Sequence, residues 1–334
     1  MEGLVAEFLE GMVLGEGRSY GGITAFPLHH PRKGGPRYLS LQAALEQGLL
    51  EVGEKNAGGS VPELMVANRA ERPVLMLDGE ELVGAKQNRV LNATILVAAG
   101  AEMVIPVSCT EAGRWSYRSA RFEASPYVMP RRARRDKTAS VQSNLEMGLG
   151  FLSDQREVWE NVDRMSTVLQ AASPTQAMRE IIDSRQEDLR GFLDSLNPVP
   201  GQKGLLVFLG REPVGLDILS REDAYRQLHP KLLRSYAVDV LLEEKGSGGE
   251  APGFTEAKGF LEELLSCGEE RYKSPGLGWD HRFKAPRALG SALVWRRRVV
   301  HAAFFRTEAR AERSDFHVGD RISDFRSRRR FREF

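Results

Sequence analysis

A chain of 334 residues, 41% hydrophobic and 28% charged, has the length of one large domain or two ordinary ones and the composition of a soluble globular protein. Its formal net charge of +1 gives no overall field toward nucleic acid or acidic partners, and its two cysteines, Cys109 and Cys267, exclude a disulfide framework and fit a reducing cytoplasm. No apolar run approaches the roughly 20 residues of a membrane span, and the start MEGLVAEFLEG carries acids where a secretory signal carries basic residues.

In chain order, Met12–Leu14 and Ile23–Leu28 read as strands around the Gly-rich GEGRSYGG. His29 and His30 end the second run; neighbours on a strand point to opposite faces and no third ligand is spaced nearby, so they read as a polar loop end and no metal is expected. LQAALEQG (41–48) is a short helix stopped by Gly48, followed by extended LLEV and a strand at Glu63–Val66.

The stretch from Pro73 to Val97 carries short apolar runs interrupted by Gly79 and Gly84, which predicts paired strands around a turn. It also holds a dense polar set: Asp78, Glu80, Glu81, Lys86, Gln87, Asn88, Arg89 and Asn92. Alternation puts Glu81 on the face of Val83 and Arg89 on that of Leu91, so the two are expected to meet inside. Met103–Val107 is a further strand, and Ser108–Trp115 a polar turn in which Glu111, Arg114 and Trp115 offer a carboxylate, a bidentate donor and a stacking surface. Cys109 reads as a small buried group, since no nucleophile elbow surrounds it.

Residues 120–138 lack a period and read as a long loop whose Arg131, Arg132, Arg134 and Arg135 form a solvated charge run. From Ser140, a stripe through Val141, Leu145, Leu149, Leu152, Trp159, Val162, Met165 and Leu169 predicts one long helix. Ser173-Pro174 opens a second, ending at Asn197-Pro198. GLLVFLGREPVGLDILS (204–220) repeats the earlier pattern at a constant offset, with Gly79 on Gly210, Glu81 on Glu212 and Gly84 on Gly215, which suggests a duplicated hairpin. Ser220 caps a helix, Pro230 starts the next, GSGGEAPG (246–253) is a flexible loop, and Thr255 caps a helix through Leu265. Residues 271–289 read as irregular, Ser291–Arg306 as a last hairpin, and residues 307–334 as a charged, disordered tail.

The predicted class is α+β: antiparallel or mixed hairpins from both ends of the chain, packed with a central helical section, in a single domain over 1–306. It is β-rich over 1–120, helical over 140–266 apart from the hairpin at 204–220, and closed by the hairpin at 291–306. No phosphate-binding glycine motif follows a strand, which argues against Rossmann and P-loop sites.

The runs LDGEELVGAKQNRVLNATILV, IPVSCTEAGRW, SYAVDVL and ALVWRRRVVHAAFF resemble the bacterial family named for its association with ADP-ribosylglycohydrolases and rhodanese-phosphatases, over most of residues 9–306. That resemblance implies a neighbourhood of ADP-ribose or NAD-linked metabolism and ADP-ribosylglycohydrolase-type functional partners; it supplies no reaction, catalytic set or cofactor. Three readings stand. The first is binding or processing of an ADP-ribose-like nucleotide by Glu80, Glu81, Lys86, Gln87, Asn88, Arg89, Glu111, Arg114 and Trp115. The second is a non-enzymatic structural or protein-interaction module. The weakest is nucleic-acid binding through Arg131–Lys137 and the tail.

Overall fold

The computed structural model describes residues 1, 3–32, 34–56, 58–243 and 251–307. Strands from both chain ends build one antiparallel sheet. β1 (Val13–Leu14) and β2 (Arg18–Tyr20) both pair with β3 (Ile23–His29). The middle of the chain supplies the next two strands, and the C-terminal hairpins complete the sheet.

Between those contributions the chain makes two smaller sheets. β4 (Leu39–Ser40) runs parallel to β7 (Val74–Met76), which also pairs with β10 (Ile95–Val97). β5 (Leu50–Glu54), β6 (Glu63–Asn68), β8 (Glu80–Gly84), β9 (Arg89–Leu91), β11 (Glu102–Cys109) and β12 (Phe122–Val128) form a six-stranded sheet ordered β12-β8-β9-β11-β6-β5. The large sheet continues from β3 through β13 (Gly204–Leu209), β14 (Glu212–Leu219), β18 (Arg298–Arg306), β17 (Ala288–Trp295) and β16 (Trp279–Ala285) to β15 (Gly268–Lys273).

Helices cover both faces of the large sheet. On one, α1 (Leu4–Glu10) and α8 (Phe254–Leu265) bury Val5, Phe8, Phe260 and Leu264 against Phe26, Phe208, Phe283 and Phe304. The other carries α4 (Gln155–Val168), α5 (Met178–Asp183), α6 (Gln186–Ser195), α7 (Glu222–Leu242) and the 73–97 stretch in one core with Leu205, Val207, Leu293 and Val300. α2 (Leu41–Glu46), capped by Ser40, closes a third core over β5–β11.

The α+β class stands, and several local expectations change. Residues 120–138 are β12 followed by α3 (Arg131–Glu146), entered at Pro130. Arg131, Arg134, Lys137 and Thr138 are buried in the first half of α3, so the apolar period begins only at Val141 and Leu145. The predicted long helix is α3 and α4, broken at 147–154, where Gly148 and Gly150 take positive φ and Leu149 stands exposed. The next predicted helix is likewise two, α5 and α6. α7 instead runs unbroken through Pro230, its buried Tyr225, Leu228, Leu232 and Tyr236 offsetting the hydrogen bond that proline removes. Residues 271–289 hold the β15–β16 hairpin, whose exposed outer strand lacks apolar alternation.

The duplicated hairpin is not present. β13 and β14 pair with each other across Gly210, whereas β7 and β8 flank Gly79 but lie in different sheets, β7 on β10 and β8 on β9. Both glycines have positive φ, 78° and 57°, so the shared pattern reflects turn chemistry alone. The predicted tail, apart from Thr307, and most of the loop at 246–253 lie outside the described residues.

Candidate functional site

The link from β8 to β9 turns sharply. Gly84 sits at φ 129°, where a Cβ would stand 2.7 Å from the Arg121 carbonyl oxygen, and Ala85 follows at φ 40°. This turn carries Lys86, Gln87 and Asn88 toward the segment that leaves β11. The Asn88 backbone N–H donates to Glu111 Oε2 (3.0 Å), and the Gln87 side-chain amide to the Glu111 carbonyl (2.8 Å). Arg114 grips the same carboxylate through Nε and Nη2 (2.8 and 2.6 Å), and the Thr175 hydroxyl adds a bond of 2.8 Å. Burial alone would raise the Glu111 pKa, but these donors outweigh it and hold it below the usual carboxylate range.

Arg89 lies beside this pair. Its side chain is fully buried; Nη1 donates to Gln87 Oε1 (3.0 Å), while Nε and Nη2 have no partner in hydrogen-bond geometry among the described residues, the Cys109 side chain being the near neighbour of the guanidinium. Burial lowers its pKa, opposed by Cys109 and Glu54. The guanidinium lies 5.8 Å from the Trp115 ring, and Lys86 Nζ lies 5.3 Å from the same ring and 5.2 Å from Tyr117. Trp115 and Tyr117 are about half exposed, so this corner opens to solvent through aromatic rings. Cys109 is buried, its thiol pKa pushed up by burial against the pull of Arg89, so the sulfur carries its proton at neutral pH and is a poor nucleophile.

Seven of the nine sequence candidates therefore converge here: Lys86, Gln87, Asn88, Arg89, Glu111, Arg114 and Trp115. Glu80 and Glu81 do not join them. The register pairs Glu81 with Val90 and Leu82 with Arg89, so Glu81 and Arg89 point to opposite faces of the sheet, and the expected ion pair does not form. Glu81 accepts instead from Thr110 (3.1 Å) and Ser125 (2.7 Å), and burial pushes its pKa up to about 7. Glu80 pairs with Lys231 at 3.0 Å.

Besides this pair, the interior holds a buried charge network that sequence reasoning missed. Arg134 is held by Asp217 through both terminal nitrogens and by Asp78 through Nε (3.3 Å); Lys137 pairs with Asp78. Asp217 also accepts from Tyr236 (2.8 Å) and meets His301 Nε2 (3.2 Å), whose Nδ1 lies 2.9 Å from the Thr94 hydroxyl. Burial works against charge on Asp217, but Arg134 and the His301 hydrogen bond win and lower its pKa to about 2. Burial outweighs Asp78 at Lys137 and lowers that pKa. A lone Asp inside GLLVFLGREPVGLDILS was the available signal, since an acid amid apolar strand residues needs a buried partner. Three of the five cations of 131–137 face the interior rather than solvent: Arg131, Arg134 and Lys137 are buried, and Arg131 reaches Asp239 at 2.7 Å, while Arg132 and Arg135 are partly exposed. His30, read as a loop end, stacks on Phe8 at 4.5 Å; among the described residues no cluster of His, Cys, Asp or Glu could hold a metal.

Fold and site define an α+β protein with a charge-locked interior and one polar corner gated by aromatic rings. The chain belongs to the ARG and Rhodanese-Phosphatase-superfamily-associated Protein domain family, whose model matches residues 11–305. No curated protein and no solved structure matches the chain. No helix among the described residues is long and apolar enough to cross a membrane.

Proposed function

We propose that the corner formed by Lys86–Arg89 and Glu111–Trp115 binds a phosphate-bearing nucleotide of the ADP-ribose or NAD type. One observation carries the reading: Arg89 keeps two guanidinium donors without partners beneath Trp115, although a buried charge ordinarily has every donor satisfied. A phosphate reached by rotation of the exposed Trp115 would take those donors, and the indole would cover the base or ribose. Glu111 and Arg114 neutralise each other and fix the loop, and Lys86 Nζ donates to the Gly58 carbonyl (2.6 Å), which leaves Arg89 and Trp115 to meet the ligand. The family description fits that ligand class if ARG denotes ADP-ribosylglycohydrolase, and the protein then acts beside such enzymes, in the cytoplasm.

The test is thermal shift with ADP-ribose, NAD, AMP and inorganic phosphate. ADP-ribose should raise the melting temperature of the wild type and leave Arg89→Met unmoved. The absence of any shift in the wild type refutes the reading. The second reading, a structural or interaction module, draws on the complete mutual satisfaction of Glu111, Arg114 and Asn88, and it predicts that absence.

A further inference from the structure

The end of the large sheet around the Trp295–Arg298 turn carries two adjoining grooves. One, of about 1190 Å³, runs between α1 and β15–β16 and is lined by Arg271, Lys273, Arg296, Arg297, Trp279 and Trp295. The other, of about 800 Å³, adds Arg37, Arg72 and Arg298 and shares Leu277, Trp295 and Arg296 with the first. All seven of these cations are exposed, and none has a carboxylate within ion-pair distance among the described residues. The acids nearby are mostly engaged: Glu269 by His281 at 2.6 Å, Glu270 by the Tyr272 hydroxyl, Glu7 by Arg32 at 3.7 Å. In a chain of net charge +1, this is a local concentration of positive charge.

The two indoles are interleaved with the cations. Trp279 is 41% exposed with the Arg271 guanidinium 4.5 Å and Lys273 Nζ 5.4 Å from its ring; Arg296 lies 4.4 Å from the Trp295 ring. Register places Lys273 directly opposite Trp279, so charge and ring share one face of the sheet edge. The turn itself is strained. Trp295 pairs with Arg298 across Arg296 and Arg297, at φ 50° and 56°, a two-residue hairpin that Asn-Gly would fill without strain. Two arginines kept in left-handed backbone project two guanidinium groups over the grooves, a reason for strain to persist.

We propose that this face binds single-stranded nucleic acid, with Arg271, Lys273, Arg296, Arg297 and Arg298 following the phosphates and Trp279 and Trp295 stacking bases. Cations that track a backbone beside rings that accept any base are the chemistry of sequence-tolerant single-strand binding. A duplex buries its bases from such rings, and a membrane surface would reward exposed aliphatic side chains, whereas Met1, Leu4, Leu277 and Val294 in these grooves are at most partly exposed.

The test is fluorescence anisotropy of a labelled oligouridylate with the full chain. If about four phosphates are neutralised, affinity falls roughly fifty-fold between about 50 and about 200 mM salt. Arg296→Glu/Arg297→Glu and Trp279→Ala should each weaken binding by about tenfold. Arg296→Asn/Arg297→Gly guards against misfolding: it relieves the turn, so it should melt above the wild type while binding more weakly. The control Arg328→Glu/Arg329→Glu/Arg330→Glu, which changes a second basic run of the sequence, should bind like the wild type. Any of four results overturns the proposal: no binding by the wild type, undiminished binding in the face variants, loss confined to the 328–330 variant, or equal affinity for phosphatidylserine vesicles.

Discussion

Arg134→Met tests the charge-locked interior most directly. The guanidinium is fully buried between Asp217, held through both terminal nitrogens, and Asp78, held through Nε at 3.3 Å. Methionine fills much of the volume but leaves Asp217 with only Tyr236 and His301, and Asp78 with Lys137. Removing one partner of a buried ion pair costs about 3–5 kcal/mol, because the surviving charge keeps its desolvation penalty. With an m-value of about 3 kcal/mol/M, the urea midpoint at neutral pH should fall by about 1 to 2 M, read by tryptophan fluorescence. The acid limb should move too. Asp217 has its pKa depressed from 3.8 to about 2, so its contribution, about 2 kcal/mol, is fully present above the unfolded value and lost as pH falls through the folded one. In the variant that depression shrinks, and less stability remains to be lost between pH 4 and pH 2. Arg134→Met/Asp217→Asn should lose less than the two single variants together, by about 1–3 kcal/mol. A midpoint shift below about 0.3 M in Arg134→Met would refute the reasoning, since a charge so enclosed cannot be removed that cheaply.

Arg89→Met should leave the melting temperature unchanged or higher, since it removes a buried charge whose Nε and Nη2 lack partners, while cancelling any shift produced by ADP-ribose. A destabilisation above about 2 kcal/mol in urea titration would show that Arg89 is structural. Glu81→Gln should stabilise the fold at pH 8 by up to about 3 kcal/mol and have little effect at pH 4. The folded pKa of Glu81 is raised from 4.5 to about 7, so the native state holds the proton more tightly and its stability falls as pH rises through that window. Urea titrations of both proteins at the two pH values check this, and a pH-independent difference rejects it. Gly79→Ala should cost about 2 kcal/mol by the same assay, because φ is 78° and the added Cβ would meet Arg134 Cδ at 2.8 Å.

The apolar parts of the fold were legible because burial writes a period into the sequence. β3, β6, β13, β17 and β18 carry short runs of Val, Leu, Ile and Phe, and all were expected near their observed places. The first half of α3 was not, for a physical reason: there the inner face solves burial by pairing Arg134 and Lys137 with acids, and hydrophobic periodicity is blind to that solution. The β15–β16 hairpin escaped for the opposite reason, because its outer strand buries almost nothing. Alternation fixes which residues of one strand share a face but not the register against the next strand. Glu81 and Arg89 were placed together on the first and separated by the second.

The polar corner was easier to find than to interpret. Lys86–Arg89 and Glu111–Trp115 stood out because uncommon polar density interrupts strand residues, and the structure brings these two segments into contact through Glu111. What the sequence withheld was which charges cancel. Arg114 and Arg89 look equivalent in a string of letters; in space Arg114 is saturated by Glu111, the Ala85 carbonyl and the Ser116 carbonyl, while Arg89 has Gln87 and two idle donors. Satisfaction of hydrogen bonds, not charge or position, separates a residue that holds the loop from one available to a ligand. The same criterion separates Arg134, bonded to Asp217 and Asp78 through all three nitrogens, from Arg296 and Arg297, which face solvent in a strained turn. Three arginine-bearing segments that composition cannot tell apart thus sit in three physical environments, and each is set by what lies within hydrogen-bond reach of the guanidinium.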